Sequence, residues 1–273
     1  MSRTGEELTD VQNSKDGRGV ALDQVGVRDL KYPITVLDPK DETQQTVAEV
    51  SMSVGLPKEF KGTHMSRFVE VLNQYRGEFT MHTLPGLLQT LQDRLEAERA
   101  RIEVQFPYFL ERTAPVTGKD ALMDYECSFV GEVNGKGSTF TLGVTVPVTS
   151  LCPCSKEISD EGAHNQRGHV DIKVRSVPNE EGNPTMIWIE ELVEMAESSA
   201  SAPLYPLLKR PDERHVTMEA YDNPAFVEDI TRDMAVRLKE NKRVKWFHVQ
   251  VESFESIHNH NAFAEVTWDR PSR

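Results

Sequence analysis

The chain has 273 residues, 38% of them hydrophobic and 27% charged. That is the composition of a protein able to bury a core, at a length that gives a prior of about two domains. Lys plus Arg number 31 against 44 Asp plus Glu, a net charge of −13, which argues against a general nucleic-acid binder but leaves room for a local basic pocket around a small anion.

Residues 1–18 are rich in Ser, Gly, Asp and Glu. They read as a mobile tail and lack the apolar segment of a secretory signal. No run of about 18 or more apolar residues follows, so no membrane-spanning helix is expected. From Val25 the pattern becomes extended, with Ile34 and Val36, then Val47, Val50, Met52 and Val54, as strands broken by the polar residues 38–45. Phe68, Val71, Leu72 and Tyr75 fall at i, i+3, i+4 and i+7, and Leu84, Leu87, Leu88, Leu91 and Leu95 form a second stripe. Both predict helices that pack on a core. Ile102, Val104 and Phe106 follow, then a strand over residues 125–133 that ends at Asn134-Gly135, a strong tight-turn signal. Phe140, Leu142, Val144, Val146 and Val148 alternate cleanly, and Val170, Ile172 and Val174 give another strand.

The second half follows the same plan. Ile189, Leu192, Val193 and Ala196 predict one helix. Asn223-Pro224 reads as the start of the next, which Phe226, Ile230, Met234 and Leu238 line. Phe247, Val249 and Val251, then Ala262, Ala264, Val266 and Trp268, give the last two strands. Residues 179–184 read as a short hairpin extension. The order strand, strand, helix, helix, strand, strand thus recurs, with a seam near residues 135–138 and no visible sequence repeat. The expectation is an α+β fold with antiparallel sheets and helices on one face. It divides into a tail (1–18), a first module (19–136) and a second module (137–273). No glycine-rich phosphate loop follows a strand, so a nucleotide-binding α/β fold gains no support.

Reactive residue types are densest over residues 147–169, read as a loop between two strands: Cys152, Cys154, Lys156, His164, Arg167 and His169. Pro153 stiffens the backbone between the two cysteines. With Cys127 these are the only three cysteines, too few for a disulfide scaffold, and a reducing cytoplasm is expected. Thiolate and imidazole suit Zn²⁺ or Fe²⁺, although the spacing matches no zinc finger. Three protein ligands with one open position would mean catalysis, and the third would have to come from elsewhere in the chain. Two further stretches stand out. Residues 207–215 read as a charged loop between the second pair of helices, and residues 255–261 place His258 and His260 between the last two strands.

The string P-V-T-S-L-C-P-C-S-K-E-I-S followed by G-A-H-N-Q-R resembles the type IB GTP cyclohydrolase I family. So do G-T-H-M-S-R-F at residues 62–68, L-Y-P-L-L-K-R-P-D-E at 204–213, N-P-x-F-V-E-D at 223–229 and E-S-I-H-N-H at 255–260. The similarity runs in order from about residue 19 to residue 268. It implies two tunnelling-fold modules in one chain, a homotetramer with sites at subunit interfaces, and metal-dependent hydrolysis of GTP to 7,8-dihydroneopterin triphosphate and formate. That reaction opens the route to folate, and in bacteria also to queuosine.

By the same resemblance, Cys152, His164 and Glu213 are the ligands of a divalent metal (Zn, Mn or Fe), with Glu197 and Glu219 as nearby alternatives to Glu213. His258 is the acid/base or water-positioning residue. Glu228 holds guanine, since one carboxylate can accept from both N1–H and the 2-amino group. At ~100° per residue Glu228 lies about 200° around its helix from Phe226, facing away from the module's own core. Lys209, Arg210, Arg214, Arg167 and Arg67 are candidates for the triphosphate. Cys154 is a second thiol beside the metal, with a redox or a packing role. Two other readings are a nitrile reductase of the same fold with Cys152 as nucleophile, for which no E-S-K-S-L-K-type segment is seen, and a structural zinc site in an interaction protein.

Overall fold

Alternation of apolar and polar side chains at a period of two builds most of the molecule. A computed structural model describes residues 10–12, 14–75, 78–135, 137–180 and 183–271. The chain lays down β1 (Leu22–Asp38), β2 (Glu42–Leu56), α1 (Met65–Gln74), α2 (Leu84–Leu95), β3 (Ala100–Thr113), β4 (Asp120–Asn134) and β5 (Gly137–Leu151). Then come α3 (Pro153–Ile158), β6 (Asn165–Ser176), α4 (Ile189–Glu197), β7 (Ala202–Pro203), α5 (Arg210–Asp222), α6 (Val227–Glu240), β8 (Val244–Ser253) and β9 (Ala262–Asp269). The strands form one antiparallel sheet in the order β1-β2-β3-β4-β5-β6-β8-β9, with β7 paired to β5. The β4–β5 turn stands where Asn134-Gly135 predicts it, Asn134 pairing with Gly137.

Helices cover one face of this sheet. In β3, Ala100, Ile102, Val104, Phe106 and Tyr108 are buried, whereas Arg101, Glu103 and Gln105 lie on the opposite, polar face. The buried residues of α1 (Phe68, Val71, Leu72), α2 (Leu84, Leu87, Leu88, Leu91), α4 (Ile189, Leu192, Val193, Ala196) and α6 (Ile230, Met234, Leu238) join those of the strands in one continuous apolar core. These are the predicted stripes, except that Phe226 is exposed and caps α6 instead of lining it, and truncating a fully buried leucine such as Leu91 costs about 2–5 kcal/mol. The core therefore runs across the seam at residue 136. This establishes an α+β protein built on one large antiparallel sheet. No helix among the described residues is long and apolar enough to cross a membrane.

Three local expectations are corrected. Residues 207–215 are not wholly a loop, because α5 begins at Arg210. Its interior is polar, with Asp212 and Ala220 as its buried residues, so no apolar stripe announces it. Asn223-Pro224 does not start a helix. Asn223 ends α5 and donates its side-chain amide to the Ala200 carbonyl (2.8 Å), while α6 starts at Val227, its entry fixed by Asp229 Oδ2 accepting the Phe226 N–H (3.1 Å). Residues 147–169 are not a single loop either, since β5 extends to Leu151, α3 follows, and β6 begins at Asn165. Of the stretch read as a tail, residues 1–9 and 13 lie outside the described residues. Lys15 bridges Phe60, and the Lys61 and Gly62 N–H groups donate to Ser14 and Gln12, so this part is docked on the turn after β2.

Candidate functional site

The β5–β6 hairpin carries the centre of the site at its end. Leu151 pairs with Asn165 as the last ladder position, and the next rung is made by Cys152, whose N–H donates to the His164 carbonyl (3.1 Å). The eleven-residue excursion between them folds because Cys152, in extended conformation, caps α3, with Pro153 at the start of the helix. Its Sγ accepts the Ser155 N–H (3.3 Å), and Ser155 Oγ accepts the His164 N–H (3.3 Å). Ser155 thus ties the thiol-bearing and imidazole-bearing residues to each other. Cys152 and His164 are half-buried, and Cys154 is exposed.

A polar network backs His164. Its Nδ1 lies 2.9 Å from Gln166 Oε1, and Gln166 Nε2 donates to Ser253 Oγ (3.0 Å) and Glu255 Oε1 (3.4 Å). Glu255 Oε2 stands 3.9 Å from His164 Nδ1, and the Ser256 hydroxyl donates to Gln166 Oε1 (3.5 Å). The register that creates this network is β6 against β8, with Gly168 opposite Ser253. A Cβ at Gly168 would fall 2.8 Å from the Glu252 carbonyl oxygen, so glycine lets β8 approach closely there. Gln166, Ser253 and Glu255 were given no role by sequence. The only signal for Gln166 and Glu255 was membership of the H-N-Q-R and E-S-I-H-N-H strings, and Ser253 had none.

Helix α5 is held at both ends. At its start, fully buried Asp212 accepts from Lys209 N–H (2.9 Å), Val116 N–H (2.8 Å), Thr117 N–H (2.8 Å) and the Thr117 hydroxyl (2.7 Å). Burial pushes this carboxyl up, but the bonds from Thr117, Lys209 and Val116 outweigh it and hold it well below the ordinary range. At the far end the Lys156 ammonium, from α3, donates to the Tyr221 carbonyl and lies 4.3 Å from the centre of the Tyr221 ring. Glu213 follows Asp212 but is itself exposed, with its N–H donating to the Lys209 carbonyl (2.9 Å).

The remaining candidates are distributed over several elements. His258 and His260 are exposed in the β8–β9 loop with their rings stacked at 5.1 Å. Glu228 is exposed in the first turn of α6, away from the core. Lys209, Arg210 and Arg214 are exposed around the start of α5, and Arg167 is exposed on β6 opposite Thr149. Arg67 is elsewhere, on α1, donating to the Arg94 carbonyl in the last turn of α2 (2.9 Å). His169 packs edge-on against Phe254 (4.8 Å). Glu197, an alternative to Glu213, is bound by Arg112 and Tyr125, and Glu219 lies 3.8 Å from His215 along α5.

Sulfur, imidazole nitrogen and carboxylate oxygen form a donor set of the right chemistry for a borderline divalent ion. The Gln166 contact on Nδ1 leaves His164 Nε2 available, as a ligand with a hydrogen-bonded second nitrogen requires. Among the described residues, however, no group of three or more His, Cys, Asp and Glu side chains is drawn together to hold a metal ion. Within one chain, Glu213 stays outside the Cys152–His164 rung.

Known proteins resemble this chain throughout its length. The family described as Type I GTP cyclohydrolase folE2 matches residues 8–264. The GTP cyclohydrolase FolE2 of Fervidobacterium nodosum is 51% identical over 262 residues, covering 96% of this chain and 98% of the relative. That of Methylococcus capsulatus is 50% identical over 270 residues, covering 99% and 98%. Among solved structures, uricase from Arthrobacter globiformis superposes with a TM-score of 0.52 at 11% identity, covering 92% of this chain and 94% of that one. Urate oxidase from Bacillus subtilis 168 gives 0.52 at 9%, covering 90% and 98%. At such identities these likenesses concern the fold alone, which is the tunnelling fold of the uricases.

Proposed function

The chain belongs to the type I GTP cyclohydrolase FolE2 family, and we propose that it hydrolyses GTP to 7,8-dihydroneopterin triphosphate and formate, the entry step to folate and queuosine precursors, in the cytoplasm. The observation that carries the reading is the Cys152–His164 rung bridged by Ser155, within a chain that matches the family from residue 8 to residue 264. The nitrile reductase and the structural zinc protein give way to that membership.

Cys152 and His164 would hold a divalent ion (Zn, Mn or Fe), with Glu213 as third ligand. When bound, the ion supplies Lewis acidity that brings a water near a pKa of about 7. His258, on an exposed loop within reach of solvent, moves protons as the purine imidazole ring opens at C8 and formate leaves. Glu228 accepts from guanine N1–H and the 2-amino group, a pair that adenine does not offer. Lys209, Arg210, Arg214, Arg167 and Arg67 supply cations for the triphosphate.

The exposure of Glu213, Glu228 and His258 fits a site completed by other subunits, which supports reading the molecule as a homotetramer. The order β1-β2-α1-α2-β3-β4 followed by β5-β6-α4-α6-β8-β9, with α3, β7 and α5 as additions, supports two tandem tunnelling-fold modules meeting at residue 136. The test is fluorometric. Purified protein with Mn²⁺ or Zn²⁺ converts GTP to a fluorescent pterin, and Cys152→Ala makes none. Undiminished activity of that variant would remove the proposed centre.

A further inference from the structure

His164 presents two ring nitrogens, and only the one left without a proton can bind a metal ion. What decides between them is Gln166. A carboxamide has one acceptor face and one donor face, and Glu255, an acceptor when ionised, lies 3.4 Å from Gln166 Nε2, with Ser253 Oγ at 3.0 Å on the same side. The donor face is therefore committed to β8 and the turn after it, and the carbonyl Oε1 is left facing His164 Nδ1 at 2.9 Å. The Ser256 hydroxyl, a donor at 3.5 Å from Oε1, agrees with that orientation. Ser253 is 1% exposed, so the anchor is rigid.

We infer that Gln166 is a positioning residue that holds the His164 proton on Nδ1, keeps the Nε2 lone pair free, and stands as a neutral spacer between His164 and Glu255. The inference rests on the reading of His164 as a metal ligand. Without the spacer, Glu255 would be the acceptor for Nδ1–H: its Oε2 is already 3.9 Å away. A second anionic ligand environment would then face a substrate that itself carries a triphosphate. A carboxamide supplies the acceptor without the charge. It also couples two segments of the site, because the residue that orients His164 is bonded to the strand end from which the His258 loop departs.

The test reads the ring nitrogens directly. In metal-free protein labelled with ¹⁵N-histidine, the His164 signals being identified by their loss in His164→Asn, two-bond correlations report the Nδ1–H tautomer for the wild type. Gln166→Leu, whose apolar side chain still separates the ring from Glu255 but offers no acceptor, moves the proton to Nε2, the form favoured by a free imidazole. Gln166→Glu, which keeps an acceptor, leaves it on Nδ1. Titration with Co²⁺, followed by thiolate-to-metal absorption, shows binding weakened by about 10–100-fold in Gln166→Leu. An Nε2–H tautomer in the wild type overturns the inference, and this measurement stands even if a variant does not fold. So does Gln166→Leu with unchanged tautomer and cobalt affinity. The ring-nitrogen readout needs neither metal nor GTP, so its failure is separable from failure of the cyclohydrolase reading, which is judged by pterin formation.

Discussion

Asp212 accepts both the backbone N–H (2.8 Å) and the hydroxyl (2.7 Å) of Thr117, a residue 95 positions earlier in the chain. The contact pins the start of α5, and with it Glu213, Lys209 and Arg210, to the β3–β4 loop of the first half. Replacing Asp212 by Asn leaves an amide N–H group among buried donors, and the expected result is a clear loss of thermal stability at pH 7. The pH dependence follows from the sign of its shift. A carboxyl held below its ordinary value contributes stability above about pH 4, lost as pH falls toward the native value. Melting curves at pH 7 and pH 3 should therefore show a larger gap between wild type and Asp212→Asn at pH 7. Equal gaps would contradict the clamp.

A second group, the half-buried Glu190, has the opposite sign. The single hydroxyl proton of Tyr108 is shared between Asp38 Oδ2 (3.1 Å) and Glu190 Oε1 (2.5 Å). Burial pushes Asp38 up, but bonds from Asp41, Lys40, Tyr108 and Gln44 more than offset this and keep it below the usual range. Burial raises Glu190, and the nearby Asp38 and Glu191 charges add to it despite the Tyr108 bond. Stability therefore falls as pH climbs from the ordinary glutamate value of about 4.3 through the raised native one. Glu190→Gln, neutral throughout, should gain in melting temperature over the wild type between pH 4 and pH 8. A difference that does not change with pH would exclude a titrating Glu190.

Lys156 joins α3 to the end of α5 through the Tyr221 carbonyl and ring. Lys156→Met should lose about 1.5–3 kcal/mol in urea unfolding, the range for hydrogen bonds to charged groups. Lys156→Arg should lose less, since a guanidinium can still donate and stack. Equal losses would mean that packing of the stem, not the ammonium, holds the two helices together.

Ser155→Ala removes the acceptor of the His164 N–H while leaving the Ser155 N–H on Cys152 Sγ. The expected stability cost is about 0.5–1.5 kcal/mol, with weaker Co²⁺ binding at unchanged thiol content. Unaltered cobalt affinity would show that the rung holds without Ser155.

The sheet was legible because its signals are local: alternation along β3 and β5, and Asn134-Gly135 at the β4–β5 hairpin turn. Helices α1, α2, α4 and α6 were legible from apolar stripes. Helix α5 was not, because its buried positions are a carboxylate and an alanine, and its start depends on Thr117, far away in sequence. Cys152 and His164 stood out as a dense reactive cluster, and the family resemblance gave them roles. The partners of His164 stayed hidden because they meet only through the β6–β8 register, which brings Ser253 beside Gly168 and so Glu255 within reach of Gln166. Glu213 lies in an exposed part of α5 apart from the Cys152–His164 rung, and its role came from the family resemblance alone.

The most direct measurement is anomalous diffraction from crystals soaked in Mn²⁺ or Zn²⁺, with data collected at the edge of each metal. One anomalous peak bonded to both Cys152 Sγ and His164 Nε2 is the predicted result. Under saturating metal, an empty rung with the thiol and imidazole turned away from each other would contradict the account.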